Sequence, residues 1–170
     1  MAKLYPNIII DSKSKAETKI FNIFKNFSDD FYIIHSLPWL SLLTSKKIGR
    51  FTPEGEIDFV ILNKHYGILC IEIKGGFITY KQHTYFTNGN MIKDPYEQIQ
   101  DNQHYLRGII NNMRIGYCVG FPDSEKPNFT NDKQFITFDI HDLGHLENKI
   151  IGIFEYWKNA IKKELQRKMR

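Results

Sequence analysis

Cysteine is scarce in this sequence, and long apolar runs are absent. Cys70 and Cys118 are the only two cysteines among 170 residues, and they lie far apart, which excludes a disulfide framework and a cysteine-pair zinc motif. The longest nearly uncharged run, residues 31–45, contains histidine, proline and several serines and is too short and polar to span a bilayer. Pro6 and Asp11 interrupt any signal-peptide core. We therefore expect a cytoplasmic protein without a membrane segment.

The sequence also lacks internal repeats, low-complexity tracts, Gly/Ser linkers, a Ser-His-Asp pattern and a phosphate-binding loop. A single domain over residues 1–170 is therefore expected, and a chain of this length buries about 70% of its unfolded surface. An apolar fraction of 42% with 14% aromatic residues favours a packed core over disorder. The net charge of +4 is compatible with a polyanionic partner.

Two short apolar segments, residues 55–62 and 68–76, carry charged residues in an unusual setting. Both segments are rich in β-branched residues and bounded by glycine, which predicts buried strands. Asp58 lies in the first segment, and Glu72 and Lys74 lie in the second. Charges enter such strands when they are paired or when they bind a metal.

The turn-like residues 63–67 between the segments predict an antiparallel hairpin with Asp58 opposite Glu72 and Leu62 opposite Ile68. Directly opposed residues have Cβ atoms about 4.5–5.5 Å apart. Two carboxylates at that separation repel each other, and a divalent cation would remove the repulsion. Oxygen ligands favour Mg²⁺ or Mn²⁺ over zinc.

The same register places Glu56 opposite Lys74, where the two could pair. The alternative to a metal site is a buried ion pair, in which Lys74 neutralises one of the carboxylates.

The pattern Asp58…Glu72-Ile73-Lys74 resembles the motif of the PD-(D/E)xK nuclease superfamily, with Ile57 where the superfamily name has proline. The longer strings at residues 55–58 and 72–76 look like the nuclease-related domain, NERD, in the version found ahead of DNA helicase modules. The similarity extends from about residue 15 to about residue 145. It includes, in order, residues 35–40 (His-Ser-Leu-Pro-Trp-Leu), 93–98 (Lys-Asp-Pro-Tyr-Glu-Gln) and 120–123 (Gly-Phe-Pro-Asp).

This resemblance implies an α/β fold, a restriction-endonuclease-like α/β/α sandwich around a mixed central β-sheet. It implies a Mg²⁺- or Mn²⁺-dependent nuclease that hydrolyses phosphodiester bonds, favours DNA over RNA and has little sequence specificity. It also implies cooperation with a helicase module or partner in DNA processing, repair or defence. Two alternatives remain: a nucleic-acid-binding module of the same fold without catalysis, and a glycosidase, whose carboxyls would flank a sugar cleft at roughly 5–9.5 Å.

By the same resemblance, Asp58, Glu72 and the carbonyl of Ile73 would bind the metal. Lys74 would orient the attacking water and stabilise charge on the phosphate. Gln98 would face the site from a helix.

Glu17 has two open interpretations. Residues 14–28 show helical spacing of apolar side chains, and Glu17 lies on the apolar stripe. In related nucleases a glutamate of the first helix often completes the metal site. Alternatively, Ser14 and Glu17 form a capping box.

A second helix is predicted to begin at Asp94, with Pro95 in its first turn, and to run to about residue 113. Gln98, Asn102 and Tyr105 lie along one stripe of it, which is either a site-facing surface or a solvated face. Further strands are predicted at residues 31–36, 77–80, 84–86, 117–121 and 135–138, with Asn88-Gly89 as a turn.

The last predicted helix spans residues 146–168, and its end is basic. We predict nucleic-acid contacts there, with a solvated charged face as the alternative. A zinc site at His141 and His145 is disfavoured, because Gly144 argues against a regular helix. The basic residues are Lys162, Lys163, Arg167 and Lys168.

Overall fold

The computed structural model describes residues 1–9, 14–37, 56–110 and 115–168. These residues form a mixed α/β fold with a six-stranded sheet, a three-stranded sheet and three α-helices. The helices are α1 (Lys15–Phe24), α2 (Pro95–Ile109) and α3 (Leu146–Lys168). The strands are β1 (Lys3–Tyr5), β2 (Phe31–His35), β3 (Phe59–Asn63), β4 (Gly67–Ile73), β5 (Ile78–Lys81), β6 (Thr84–Thr87), β7 (Asn90–Ile92), β8 (Ile115–Phe121) and β9 (Thr137–Asp139).

The larger sheet has the strand order β1-β2-β3-β4-β8-β9. Strands β2, β3 and β4 are antiparallel neighbours, whereas β4, β8 and β9 are parallel, as are β1 and β2. Parallel neighbours need a long crossover, and the segment holding β5–β7 and α2 supplies it between β4 and β8. The predicted mixed central sheet is confirmed.

Apolar side chains cover both faces of this sheet, which gives the predicted three-layer arrangement. On one face α1 and α3 pack over the strands through residues such as Phe24 and Phe154. On the other face α2 and the three-stranded sheet pack through Ile99, Leu106 and Tyr85. In the part of the chain that is described, no helix is long and apolar enough to cross a membrane.

The predicted hairpin of β3 and β4 is confirmed in its register. Leu62 pairs with Ile68, and the ladder ends with Phe59 opposite Ile71. Asp58 directly precedes β3 and Glu72 directly follows Ile71 in β4, so both lie one residue beyond this last pair. Glu56 lies beyond the strand, where its carbonyl accepts a hydrogen bond of 2.9 Å from Asn102. Among the described residues Lys74 pairs with Glu72 rather than with Glu56, so the pairing considered for Glu56 is not formed.

Several element boundaries differ from the sequence prediction. The first helix ends at Phe24 rather than residue 28. The predicted strand at 135–138 is divided into a 3₁₀ turn (Asp132–Phe135) and β9, because Asn131 caps the turn with its side chain. Strands β1 and β7 were not predicted, and both are only three residues long. The predicted end of the second helix lies outside the described residues.

The packing around Gly120 generates a stability prediction. A Cβ atom on Gly120 would overlap the Phe138 ring and lie 2.8 Å from Ile73 Cδ1. We expect Gly120→Ala to lower the free energy of unfolding by about 1–3 kcal/mol through overpacking. Gly152→Ala, on the exposed side of α3 with open space around it, should raise it by roughly 0.5–1 kcal/mol. Urea denaturation of both variants measures this difference, and equal effects would contradict it.

Candidate active site

The candidate site lies at the open end of the β3–β4 hairpin. Asp58 directly precedes β3, and its Oδ2 accepts a hydrogen bond of 2.6 Å from the Ile73 amide. Glu72, the next-to-last residue of β4, is only 1% exposed. The hairpin ladder therefore places two carboxylates side by side at the edge of the core.

Lys74 connects Glu72 to the second helix. Its Nζ donates to Glu72 Oε1 at 2.6 Å and to Gln98 Oε1 at 3.1 Å. The Asp94 side chain caps α2, as predicted, by accepting hydrogen bonds from the amides of Tyr96 and Glu97. Gln98 therefore lies one turn into the helix. The ion pair between Lys74 and Glu72, which was the alternative to a metal site, is formed, but Lys74 contacts only one of the two carboxylate oxygens of Glu72.

The other oxygen, Glu72 Oε2, is buried and has no hydrogen-bond partner among the residues that the structure describes. A buried carboxylate oxygen without a partner costs free energy, so its presence needs an explanation. A ligand that binds carboxylate oxygens would provide one.

The electrostatics of the pair point the same way. Burial and the neighbouring Glu72 charge raise the pKa of Asp58 well above its usual range, although the Ile73 amide opposes the shift. Burial also raises the pKa of Glu72, against the attraction of Lys74. Both shifts mean that two negative charges are unfavourable here, and a cation bound between them would reverse that balance.

The segment after β4 holds Lys74 in place. The Lys74 amide donates to the Gly120 carbonyl at 2.9 Å, and the Gly76 amide donates to Asp123 Oδ2 at 3.0 Å. A Cβ atom on Gly75 would lie 2.9 Å from the Cβ of Ala16 in α1. Gly75 thus allows close packing between this segment and α1.

Glu17 reaches the site from α1. Ser14 caps the helix by accepting from the Glu17 amide at 3.2 Å, which is the serine half of the predicted capping box. The Glu17 carboxylate lies 3.0 Å from His35 Nε2. Its charge also raises the pKa of both Asp58 and Glu72, so the three carboxylates share one electrostatic environment.

His35 is a site residue that sequence reasoning missed. It ends β2, is buried, and packs against the rings of Phe21 and Phe59. The sequence did contain a signal for His35, because a histidine at an inward position of a buried strand needs a polar partner. Its partner, Glu17, is distant in sequence, and only the packing of α1 on the sheet brings the two together.

The basic end of α3 lies away from the carboxylates. Trp157 of α3 donates to the Tyr117 carbonyl near the start of β8, whereas the site lies beside the end of that strand. The helix continues past Trp157 by about 1.5 Å per residue. The residues involved, Lys162, Lys163, Arg167 and the helix-ending Lys168, stay predicted nucleic-acid contacts.

The described residues include two carboxylates that could bind a metal ion. Within residues 1–9, 14–37, 56–110 and 115–168, no group of three or more His, Cys, Asp or Glu side chains is placed to hold a metal ion. The set that fits is smaller: the carboxylates of Asp58 and Glu72, with the buried Oε2 of Glu72 lacking a partner. Such an oxygen donor set suits a hard cation such as Mg²⁺ or Mn²⁺. His141 and His145 lie in a 3₁₀ turn (Ile140–His145) and not in an α-helix, which agrees with the argument from Gly144 against a regular helix.

Comparison with models of known families shows which family the chain belongs to. The sequence matches the model of the nuclease-related domain over residues 12–122, nearly two thirds of its length. The chain belongs to the nuclease-related domain family. This NERD match contains Glu17, Asp58, Glu72, Lys74 and Gln98, and it ends before α3. No curated protein and no solved structure matches the chain.

The carboxylate pair generates a prediction about stability and pH. A carboxyl whose pKa is raised in the folded state binds protons more tightly there. The contribution of that carboxyl to folding stability is therefore fully present at low pH and is lost as pH rises through the folded pKa. In EDTA at pH 7, Asp58→Asn should melt no lower than wild type, because it removes one of the two charges and still accepts from the Ile73 amide. The difference should shrink toward pH 4.

Thermal melts of wild type, Asp58→Asn and the control Asp101→Asn measure this effect; Asp101 is an exposed carboxylate on α2. Adding Mn²⁺ at 100 times its dissociation constant should stabilise wild type by about 2.7 kcal/mol. The same ion should not stabilise Asp58→Asn. A strongly destabilised metal-free Asp58→Asn would favour a structural ion-pair network over a metal site.

Proposed function

We propose that this chain is a Mg²⁺- or Mn²⁺-dependent nuclease of the PD-(D/E)xK type, which hydrolyses phosphodiester bonds with little sequence specificity. The observation that supports it best is the buried Glu72 carboxylate, with Oε1 on Lys74 and Oε2 without a partner in the described chain. Membership of the nuclease-related domain family supports the reaction class.

The two carboxylates and, by the family resemblance, the Ile73 carbonyl would hold the metal. A divalent ion bound there lowers the pKa of water and neutralises charge that develops on the phosphate. Asp58 is already oriented for this role, since the Ile73 amide fixes one of its oxygens.

Lys74 contributes the positive charge of the protein itself. Its side chain is 23% exposed, so the ammonium can reach a phosphate while remaining attached to the site. An ammonium with three donors can keep the contact with Gln98 and still donate to a phosphate oxygen or to the attacking water. Gln98 thereby positions Lys74 and can also orient water.

The substrate and partners are proposed from charge, composition and family resemblance. The positive net charge fits nucleic acid, and no base-reading motif is present in the sequence, so we propose contacts that are mainly to phosphates. DNA rather than RNA, a helicase partner and a cytoplasmic location follow from the resemblance and the composition alone. A binding module that has lost catalysis is the second candidate, and the complete set of Asp58, Glu72 and Lys74 favours the enzyme over it.

Loss of any one of the three charged residues should abolish cleavage. We expect Asp58→Ala, Glu72→Ala and Lys74→Ala each to lower the rate by several orders of magnitude, and the triple variant to be hardly worse, because residues that act as a unit give non-additive losses. Glu125→Ala and Lys158→Ala, which remove exposed charges, are the matched controls.

The assay uses linear, circular, single-stranded and double-stranded DNA and RNA with Mg²⁺, Mn²⁺ or EDTA. Wild-type cleavage by purified Lys74→Ala would overturn the mechanism. Binding without cleavage by wild type under every ion condition would favour the inactive module.

Glu17 offers a separate test, because α1 and α2 begin in the same way. Glu17 follows the capping Ser14 by three residues, and Glu97 follows the capping Asp94 by three. Glutamine can serve at this position of a capping box, so both Glu→Gln changes should leave the melting temperature nearly unchanged. Glu17→Gln should lower nuclease activity by about 10–100-fold at limiting Mg²⁺, as loss of a residue that supports metal ligands does. Full activity would show that Glu17 has a structural role only, in α1 and in its contact with His35.

A further inference from the structure

One side of α2 carries two amide side chains that point toward the candidate site. Gln98 and Asn102 are one helical turn apart, so their side chains leave the helix on the same side. Asn102 is 6% exposed, a degree of burial that a polar side chain tolerates when it is hydrogen-bonded. Tyr105, the next residue of the predicted stripe, is 36% exposed. The stripe therefore faces inward at its first two positions and toward the solvent at its third.

The two amides contact both parts of the carboxylate site. Gln98 accepts a hydrogen bond of 3.1 Å from Lys74, directly after β4. Asn102 donates a hydrogen bond of 2.9 Å to the carbonyl of Glu56, two residues before Asp58. One helix is thus linked by side chains to the end of β4 and to the segment that carries Asp58.

The hydrogen bond from Asn102 acts where the ladder between β3 and β4 has already ended. The last pair of that ladder contains Phe59, and the carbonyls just before it accept from amides of the segment that follows β2. Two further hydrogen bonds of the described chain hold this region from the side of the site. The Ile73 amide donates to the Asp58 carboxylate, and Asn102 donates to the main chain. The first fixes a side chain, whereas the second fixes the backbone that carries it.

The packing of α2 makes it a rigid support for this contact. Ile99 of the helix is completely buried in the same apolar cluster as Ile57, which directly precedes the carboxylate residue. At the start of the helix, the Tyr96 hydroxyl lies 2.5 Å from Thr137 Oγ1. The position of Asn102 is therefore set by the packing of a whole helix rather than by its own side-chain conformation.

We propose that Asn102 is a positioning residue of the active site, which fixes the main chain before Asp58 so that the Asp58 and Glu72 carboxylates can bind one cation together. The inference rests on the proposed nuclease function and adds to it a residue that acts through another. Mg²⁺ requires nearly ideal octahedral geometry, and a site tolerates displacements of its ligands of only about 0.5 Å. Loss of the Asn102 hydrogen bond should therefore lower the affinity for the metal.

The test compares two buried amides of the same helix. Gln103 is 4% exposed and donates to the carbonyl of Ile115, at the opposite end of β8 from the site. Asn102→Leu and Gln103→Met each keep the side-chain volume nearly unchanged and deprive one backbone carbonyl of its donor. Because these losses are alike, both variants should lower the melting temperature by roughly 2–10 °C.

Binding of Mn²⁺, measured from the electron paramagnetic resonance signal of the free ion, separates the two variants. We expect Asn102→Leu to weaken Mn²⁺ binding by roughly 10–100-fold, the loss typical of residues that orient metal ligands. Gln103→Met should bind Mn²⁺ like wild type. In cleavage assays, the Mg²⁺ concentration for half the maximal rate should rise by the same factor in Asn102→Leu, and the maximal rate should change far less.

Two results would overturn the inference. One is equal Mn²⁺ binding by Asn102→Leu and wild type. The other is an equal loss of binding in Asn102→Leu and Gln103→Met, because the effect would then come from weaker packing of α2. Should Asn102→Leu not fold, Asn102→Ala carries the same expectations, since a water can occupy the space and satisfy the Glu56 carbonyl.

The inference and the proposed function fail separately. Cleavage by wild type in Mg²⁺, with no change of Mn²⁺ binding in Asn102→Leu, leaves the nuclease intact and removes the positioning role. Weaker Mn²⁺ binding by Asn102→Leu, with no cleavage by wild type in any ion, supports the positioning role and removes the nuclease.

Discussion

Burial of the Glu72 carboxylate is the constraint on which the rest of the site depends. Glu72 pairs with Val119 of β8, one residue beyond the last pair of β4 with β3, and its side chain is almost completely buried. Lys74 offsets part of the cost, and Gln98 holds Lys74 from the second helix. A buried carboxylate costs stability, and perturbed carboxylates cluster at functional sites, so Glu72 is the residue that best supports the proposed chemistry.

The parts of the fold that could be predicted are those encoded by neighbouring residues. The β3–β4 register follows from alternation on either side of a short turn, and the start of α2 follows from Asp94 and Pro95. The parts that could not be predicted depend on packing between distant segments. The contact of Glu17 with His35 requires α1 to lie on β2, and a three-residue edge strand such as β1 has too few residues for a pattern.

The same distinction applies to the candidate site. Asp58, Glu72 and Lys74 are close because they share one hairpin, so sequence spacing alone places them together. The basic end of α3 is remote because of the direction in which that helix crosses the sheet, and composition carries no information about direction. The net charge is compatible with a polyanionic partner but carries no information about which surface would bind it.

The family match ends at residue 122, but the hydrophobic core does not. Phe138, Ile150 and Phe154 belong to the same apolar cluster as Phe24 of α1 and Ile71 of β4. The residues that match the family and the residues that build the core therefore have different boundaries. A fragment cut where the family similarity stops would retain every candidate catalytic residue but leave this side of the sheet covered by α1 alone, with apolar strand residues exposed where α3 had packed.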